Sequence, residues 1–164
     1  MGIAEAQQVA EDFIRTHRPD FDLSIMNQTC SEIFDGGAGK RFRFEWREFR
    51  DDVDIGNAIH TEVDLHGNVL SYSAARNDNL NIDTKAKRIT QDEATAVIKH
   101  YLQPIIAQER FDALQCDGGG LIVWDNKVAW RVKLSAQPKG DPVTYYYMIT
   151  VDAQTGKVLD DTRG

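Results

Sequence analysis

The stretch Ile59-His60-Thr61-Glu62-Val63-Asp64-Leu65-His66-Gly67-Asn68-Val69-Leu70 returns near the end of the chain, within Tyr145–Leu159. Both stretches carry a strand-like run, then Val-Asp, Gly and Val-Leu in the same order. Val63 and Val151 lie 88 positions apart and Gly67 and Gly156 lie 89 apart, so the second turn is one residue longer. A chain of 164 residues that repeats at about half its length is two copies of one supersecondary unit. Each copy must therefore solve the same packing problem with its own side chains.

The repeat reaches well beyond the turn. Ala6, Val9, Ala10, Phe13 and Ile14 recur at helical spacing, and Ala94, Val97, Ile98, Tyr101 and Leu102 repeat that stripe 88 positions later. Thr90-Gln91-Asp92-Glu93 reads as a capping box, because a Thr hydroxyl and a Glu carboxylate three residues on can satisfy each other's backbone amides. Pro19 and Pro104 oppose continuation of the two helices. Phe42, Phe44 and Trp46 alternate with polar residues, as do Val128, Trp130, Val132 and Leu134, which predicts two strands with one wet face each. Trp46-Arg47 is matched to Trp130-Arg131, an offset of 84 that places a few residues of difference in the loops. Leu23–Phe34 and Ala113–Trp124 read as extended segments ahead of these strands.

One helix followed by an antiparallel meander must bury its apolar stripe on the sheet. The expected fold is α+β: two tandem units, each one helix packed on an antiparallel sheet of about four strands. Expected boundaries are 1–76 and 89–164, joined by a polar Asn- and Asp-rich link over 77–88. Units of this size sit near the lower limit for a self-sufficient core, so each is expected to lean on the other.

The charge is unevenly spread. Residues 1–82 hold 8 basic and 15 acidic side chains, net −7, whereas residues 83–164 hold 11 of each. An acidic chain of pI about 5.0 lacks the clustered Lys and Arg that phosphate binding needs, which argues against nucleic acid and anionic membrane as partners. No apolar run approaches bilayer-spanning length, and no basic-then-apolar N-terminus reads as a signal peptide. Met1-Gly2 stands directly before the first helix and reads as a remnant on a trimmed protein. Cys30 and Cys116 are too few for a disulfide scaffold; small buried thiols are expected, a bridge between the copies being the alternative.

No constellation for catalysis, metal or cofactor emerges. Gly36-Gly37-Ala38-Gly39-Lys40 fails the phosphate-loop pattern, with Phe34 and Arg41 at its defining positions, and reads as a hairpin turn. Gly118-Gly119-Gly120 reads as a turn or bulge. Asp51-Asp52-Val53-Asp54 lacks the register of a calcium loop and reads as a charged hairpin tip. His17, His60, His66 and His100 share no metal-ligand spacing, and there is no nucleophile elbow. The chain reads as a non-enzyme. One oddity remains. Tyr146 and Met148 fall on the sheet face opposite Tyr145, Tyr147, Ile149 and Val151, so that apolar groups occupy both faces of this strand. That outer face is first expected to be covered by the other copy, and otherwise to be a partner-binding surface.

The ending Tyr-Tyr, then Val-Asp-Ala-x-Thr-Gly-Lys-Val-Leu within Tyr145–Leu159 resembles the close of a PepSY domain (peptidase propeptide and YpeB). The Thr90–Leu102 helix and the Val128–Leu134 strand fit the same pattern. The first copy resembles a diverged PepSY-like unit through Glu5-Ala6, Phe42–Phe49 and Val63–Leu70. The resemblance implies a cystatin-like helix-on-sheet fold, a bacterial extracytoplasmic setting, and a non-enzymatic role in restraining or inhibiting a protein partner such as a peptidase or cell-wall hydrolase. It brings no catalytic residues and no cofactor. Two other functions are carried forward: a small-ligand-binding protein using a helix–sheet cavity, and a self-associating structural module, a homodimer.

Overall fold

The computed structural model describes residues 1–36, 39–77 and 80–163, and of residues 30–32 and 34–36 the backbone alone. Gly37 and Ala38 of the expected glycine turn, and Asp78 and Asn79 of the expected link, lie outside the described residues. The fold is mixed α+β, with three helices and eight strands among the described residues. The chain divides into two compact units, Met1–Arg50 with Asp54–Asn79, and Asp51–Val53 with Leu80–Gly164.

The first unit runs α1 (Ile3–His17), a 3-10 turn at Leu23–Ile25, β1 (Met26–Gly36), β2 (Gly39–Arg50), β3 (Val53–Asp64) and β4 (Val69–Ala75). Its strands lie side by side in that order. The second runs α2 (Gln91–Leu102), α3 (Gln108–Asp112), β5 (Leu114–Trp124), β6 (Lys127–Ala136), β7 (Tyr145–Asp152) and β8 (Val158–Arg163), again in chain order across the sheet. The short helix α3 replaces part of a segment that carries no helical periodicity in the sequence. Residues 80–88 are not a loose link: Ile82 packs with Val53, Leu121, Val128 and Ala153, and Thr84 Oγ1 donates to Asp51 Oδ2 at 2.5 Å.

Both helices bury the expected stripe. Ala6, Ala10 and Ile14 are fully buried, as are Ala94, Ile98 and Leu102 at the matching positions. Thr90 closes its capping box, with its N–H on Glu93 Oε2 at 2.7 Å and the Glu93 N–H on Thr90 Oγ1 at 3.2 Å. Gly2 occupies the same place ahead of α1 and has only the backbone half, its N–H donating to Glu5 Oε2 at 2.8 Å.

The repeated turn has a simple cause. Asp64 Oδ1 accepts the N–H groups of His66 and Asn68, and Asp152 Oδ1 accepts those of Gln154 and Thr155. Gly67 and Gly156 follow at φ +87 and +71, a region that favours glycine. A bulge follows each turn: Val63 faces Val69 while Glu62 faces Ser71, and Val151 faces Val158 while Thr150 faces Asp160. Leu70 and Leu159 are the extra residues.

A second bulge corrects the tryptophan match. In β1 the register shifts between Gln28 and Cys30, opposite Trp46 and Glu45; in β5 it shifts between Cys116 and Gly118, opposite Leu134 and Lys133. All four positions are offset by 88, so Trp46 corresponds to Leu134 and Trp130 to Phe42. The Trp-Arg likeness at offset 84 compares different sites. Trp130 has its own task, donating Nε1–H to the Ile89 carbonyl at 2.9 Å. The same register puts Gly118, not Cys116, at the place of Cys30. Cys116 is a free, exposed thiol, contrary to the expected burial.

Candidate functional site

On β7, Tyr147, Ile149 and Val151 turn inward while Tyr146 and Met148 stand on the opposite face, as alternation demands. Tyr146 is 50% exposed and Met148 42%, whereas Thr150 and Asp152 further along the same face are buried. Ser135 and Lys133 of β6 are their cross-strand neighbours. Lys133 Nζ lies 5.3 Å from the Tyr146 ring centroid, within cation–π range, and the Arg131 guanidinium lies 5.1 Å from the Trp124 ring. Ser135 Oγ donates to Asp117 Oδ1 at 2.8 Å. The surface is thus two exposed apolar groups flanked by cations.

The first unit dresses the same face differently. Ala58 and His60 stand where Tyr146 and Met148 do, and Glu62 stands at the place of Thr150. Glu62 is only 7% exposed and accepts from Arg41 Nη1 and Arg43 Nη2, each at 3.0 Å. Burial alone would raise its carboxyl. The Arg43 hydrogen bond and the Arg41 and Arg43 charges outweigh that and hold it below its ordinary 4.5. Arg47 pairs with Glu45 and with Asp54. This face is an ion network; its counterpart on the second unit is an aromatic and methionine patch.

The helix side of the second unit holds a cavity of about 310 Å³, lined by Ile105, Ile106, Ala107, Arg110, Tyr145, Tyr147 and Arg163. Arg163 binds Asp161, with Nη2 to Oδ2 at 2.5 Å, and Asp161 also accepts from the Tyr101 hydroxyl at 2.9 Å. The Arg163 hydrogen bond keeps the Asp161 carboxyl below its usual range, and the Asp161 contact raises the Tyr101 hydroxyl. The Arg110 guanidinium lies 3.6 Å over the Tyr145 ring. In the first unit a groove of about 670 Å³ runs past Pro19, Asp22, Met26 and Trp46. The space beneath each helix is filled by buried apolar side chains, and both hollows lie at its margin.

The remaining sequence candidates separate in space or serve turns. His17 Nδ1–H donates to the Phe13 carbonyl at 3.0 Å and the ring stacks on the Phe13 ring. Asp51 and Asp52 take φ of +48 and +65, the backbone of a tight hairpin, and Asp54 binds Arg47 and the Gly56 N–H. Among the described residues no group of three or more His, Cys, Asp or Glu is placed to hold a metal ion, and no helix is long and apolar enough to cross a membrane. The sequence reading missed Arg110, Tyr147 and Arg163 as a group. The signal was the β7 and β8 comparison with the first unit, where Ile59 faces Ala74 in place of Tyr147 facing Arg163.

No protein-family model and no curated protein matches the chain. Among solved structures it is similar to the Bacillus megaterium YpeB C-terminal domain at 16% identity and a TM-score of 0.48. That likeness covers 99% of this chain and 65% of the other, so the chain spans about two thirds of its length. YpeB is of the PepSY type. A second similar structure is a protein of Clostridium difficile 630 described as a lipoprotein, at 13% identity and a TM-score of 0.35, covering 94% of this chain and 92% of that one.

Proposed function

We propose that this chain is a non-enzymatic protein-interaction module made of two PepSY-like, cystatin-like units, acting outside the cytoplasm to restrain a peptidase or cell-envelope hydrolase. The observation that supports it is the exposed Tyr146–Met148 patch beside Lys133, on a face that carries an ion network in the sister unit. Aromatic and methionine side chains at the centre of a patch with cations at its rim are the composition of an association surface. A partner with an apolar groove and acidic rim fits it.

The test is to add the chain to purified peptidases or wall hydrolases encoded beside it and follow their turnover. Wild-type protein slows one of them in a saturable manner. Tyr146→Ala with Met148→Ala weakens that inhibition roughly tenfold or more, the scale of losing a central anchor, while the thermal midpoint stays within a few degrees. Undiminished inhibition by the double variant removes this face from the reading.

A further inference from the structure

We propose that the cavity on the helix side of the second unit binds a monoanionic carboxylate that carries a small apolar body. Three observations converge on it. Tyr147 is 3% exposed, lines the cavity, and its hydroxyl has no hydrogen-bond partner among the described residues. A buried phenol is normally paired, and an unpaired one disfavours the empty state. Arg110 makes no ion pair among the described residues; its guanidinium carbon lies 3.6 Å from the Tyr145 ring centroid, and a contact through the ring face leaves N–H groups available. Arg163, cross-strand from Tyr147 and also lining the cavity, spends part of its donor fork on Asp161 and retains others.

Charge selects the anion. Arg163 is already balanced by Asp161, and Asp141 is engaged by the Tyr145 hydroxyl and the Val143 N–H. The guanidinium left without a counter-charge is Arg110, which matches one negative charge and not the two of a phosphate monoester. A planar fork with a phenol donor beside it is the geometry that a carboxylate accepts from. Ile105, Ile106 and Ala107 supply an apolar wall, and about 310 Å³ holds one side chain with its carboxylate.

The repeat provides an internal comparison. At the corresponding places the first unit has Ile59 for Tyr147, Ala74 for Arg163 and Asp22 for Arg110. The fold is built there without any of the three groups, so architecture does not require them. The ligand source is a free acid or the C-terminal residue of a polypeptide, and the two share this chemistry.

Calorimetric titration of the full chain decides the matter, using N-acetyl-leucine, a hexapeptide ending in leucine with a free carboxylate, and the same peptide amidated. Saturable one-to-one binding of a free acid, at least tenfold weaker for the amide, is expected from the loss of charge-assisted hydrogen bonds. Tyr147→Phe removes only the hydroxyl; it should weaken binding roughly three- to tenfold, with an unchanged or raised thermal midpoint. Arg110→Gln should weaken it further. Equal affinity for acetyl-leucine and the peptide assigns the free acid, and binding of the peptide alone assigns a polypeptide terminus. No saturable heat up to roughly 10 mM of either acid, equal binding of the amide, or an unaffected Tyr147→Phe protein overturns the proposal. Tyr146 and Met148 lie on the other side of the sheet, so failure here and failure of the inhibition test are separate results.

Discussion

Glu62 shows how one residue fixes the character of a surface. Its carboxylate is nearly buried and is tolerated because Arg41 and Arg43 on the neighbouring strand both reach it. Its pKa in the folded chain is depressed below 4.5, so the stability it contributes is present above that value and is lost as pH falls through the lower, folded pKa. Glu62→Gln should cost about 1–2 kcal/mol at pH 7, moderated because both arginines are more than a third exposed. Urea unfolding followed from pH 7 to pH 3 should then show a shallower loss for the variant than for wild type. Asp20, held down to about 2 by Arg18, and the lowered Asp22, Asp64, Asp152 and Asp161 are common to both proteins. The difference between the two curves therefore isolates Glu62, and parallel curves would show that its ionisation is not linked to folding.

At the scale of elements, the two units fill one design with different volumes. Helix α1 presents Ala6, Ala10 and Ile14 to a sheet that supplies Phe42, Phe44 and Trp46. Helix α2 presents Ile98 and Leu102 to Trp130, Val132 and Leu134. Where the helix residue grows from Ala10 to Ile98, the strand residue at the matching place shrinks from Phe44 to Val132, as close packing requires. Ala10→Ile should destabilise by about 1–3 kcal/mol through overpacking, and Phe44→Val should also destabilise by leaving a void. Combined, they should cost less than the sum by at least about 0.5 kcal/mol in denaturant titration; strict additivity would mean that the two sites do not share a core. These helices were legible because a stripe of 3.6-residue period survives changes of side-chain size, and the turns because Asp and Gly do a job few residues can replace. The strand correspondence was not. Trp46-Arg47 and Trp130-Arg131 look alike, but the bulge in the strand alongside each sets the register; Gly118-Gly119-Gly120 marks it in the second unit, and no glycine marks it between Gln28 and Cys30 in the first. The Tyr147–Arg163 pairing was hidden for the same reason, since it depends on the bulge at Leu159.

For the whole molecule, charge and exposed surface act together. Residues 1–82 carry net −7 and residues 83–164 none, so at neutral pH like charge keeps copies of the chain apart. The pI of about 5.0 removes that repulsion. It does so above 4.5, where the Glu62 carboxylate still contributes its stability, so association near pH 5 reports on the native surface and not on an acid-unfolded chain. The Tyr146–Met148 patch then decides whether copies adhere. Light scattering in the presence of reductant, which silences the exposed Cys116, should peak near pH 5.0. Tyr146→Ser with Met148→Ser leaves the net charge unchanged and should lower that peak several-fold if the patch is the adhesive face. A peak of equal height in the variant would place self-contact elsewhere, and would leave the patch to a partner of different chemistry.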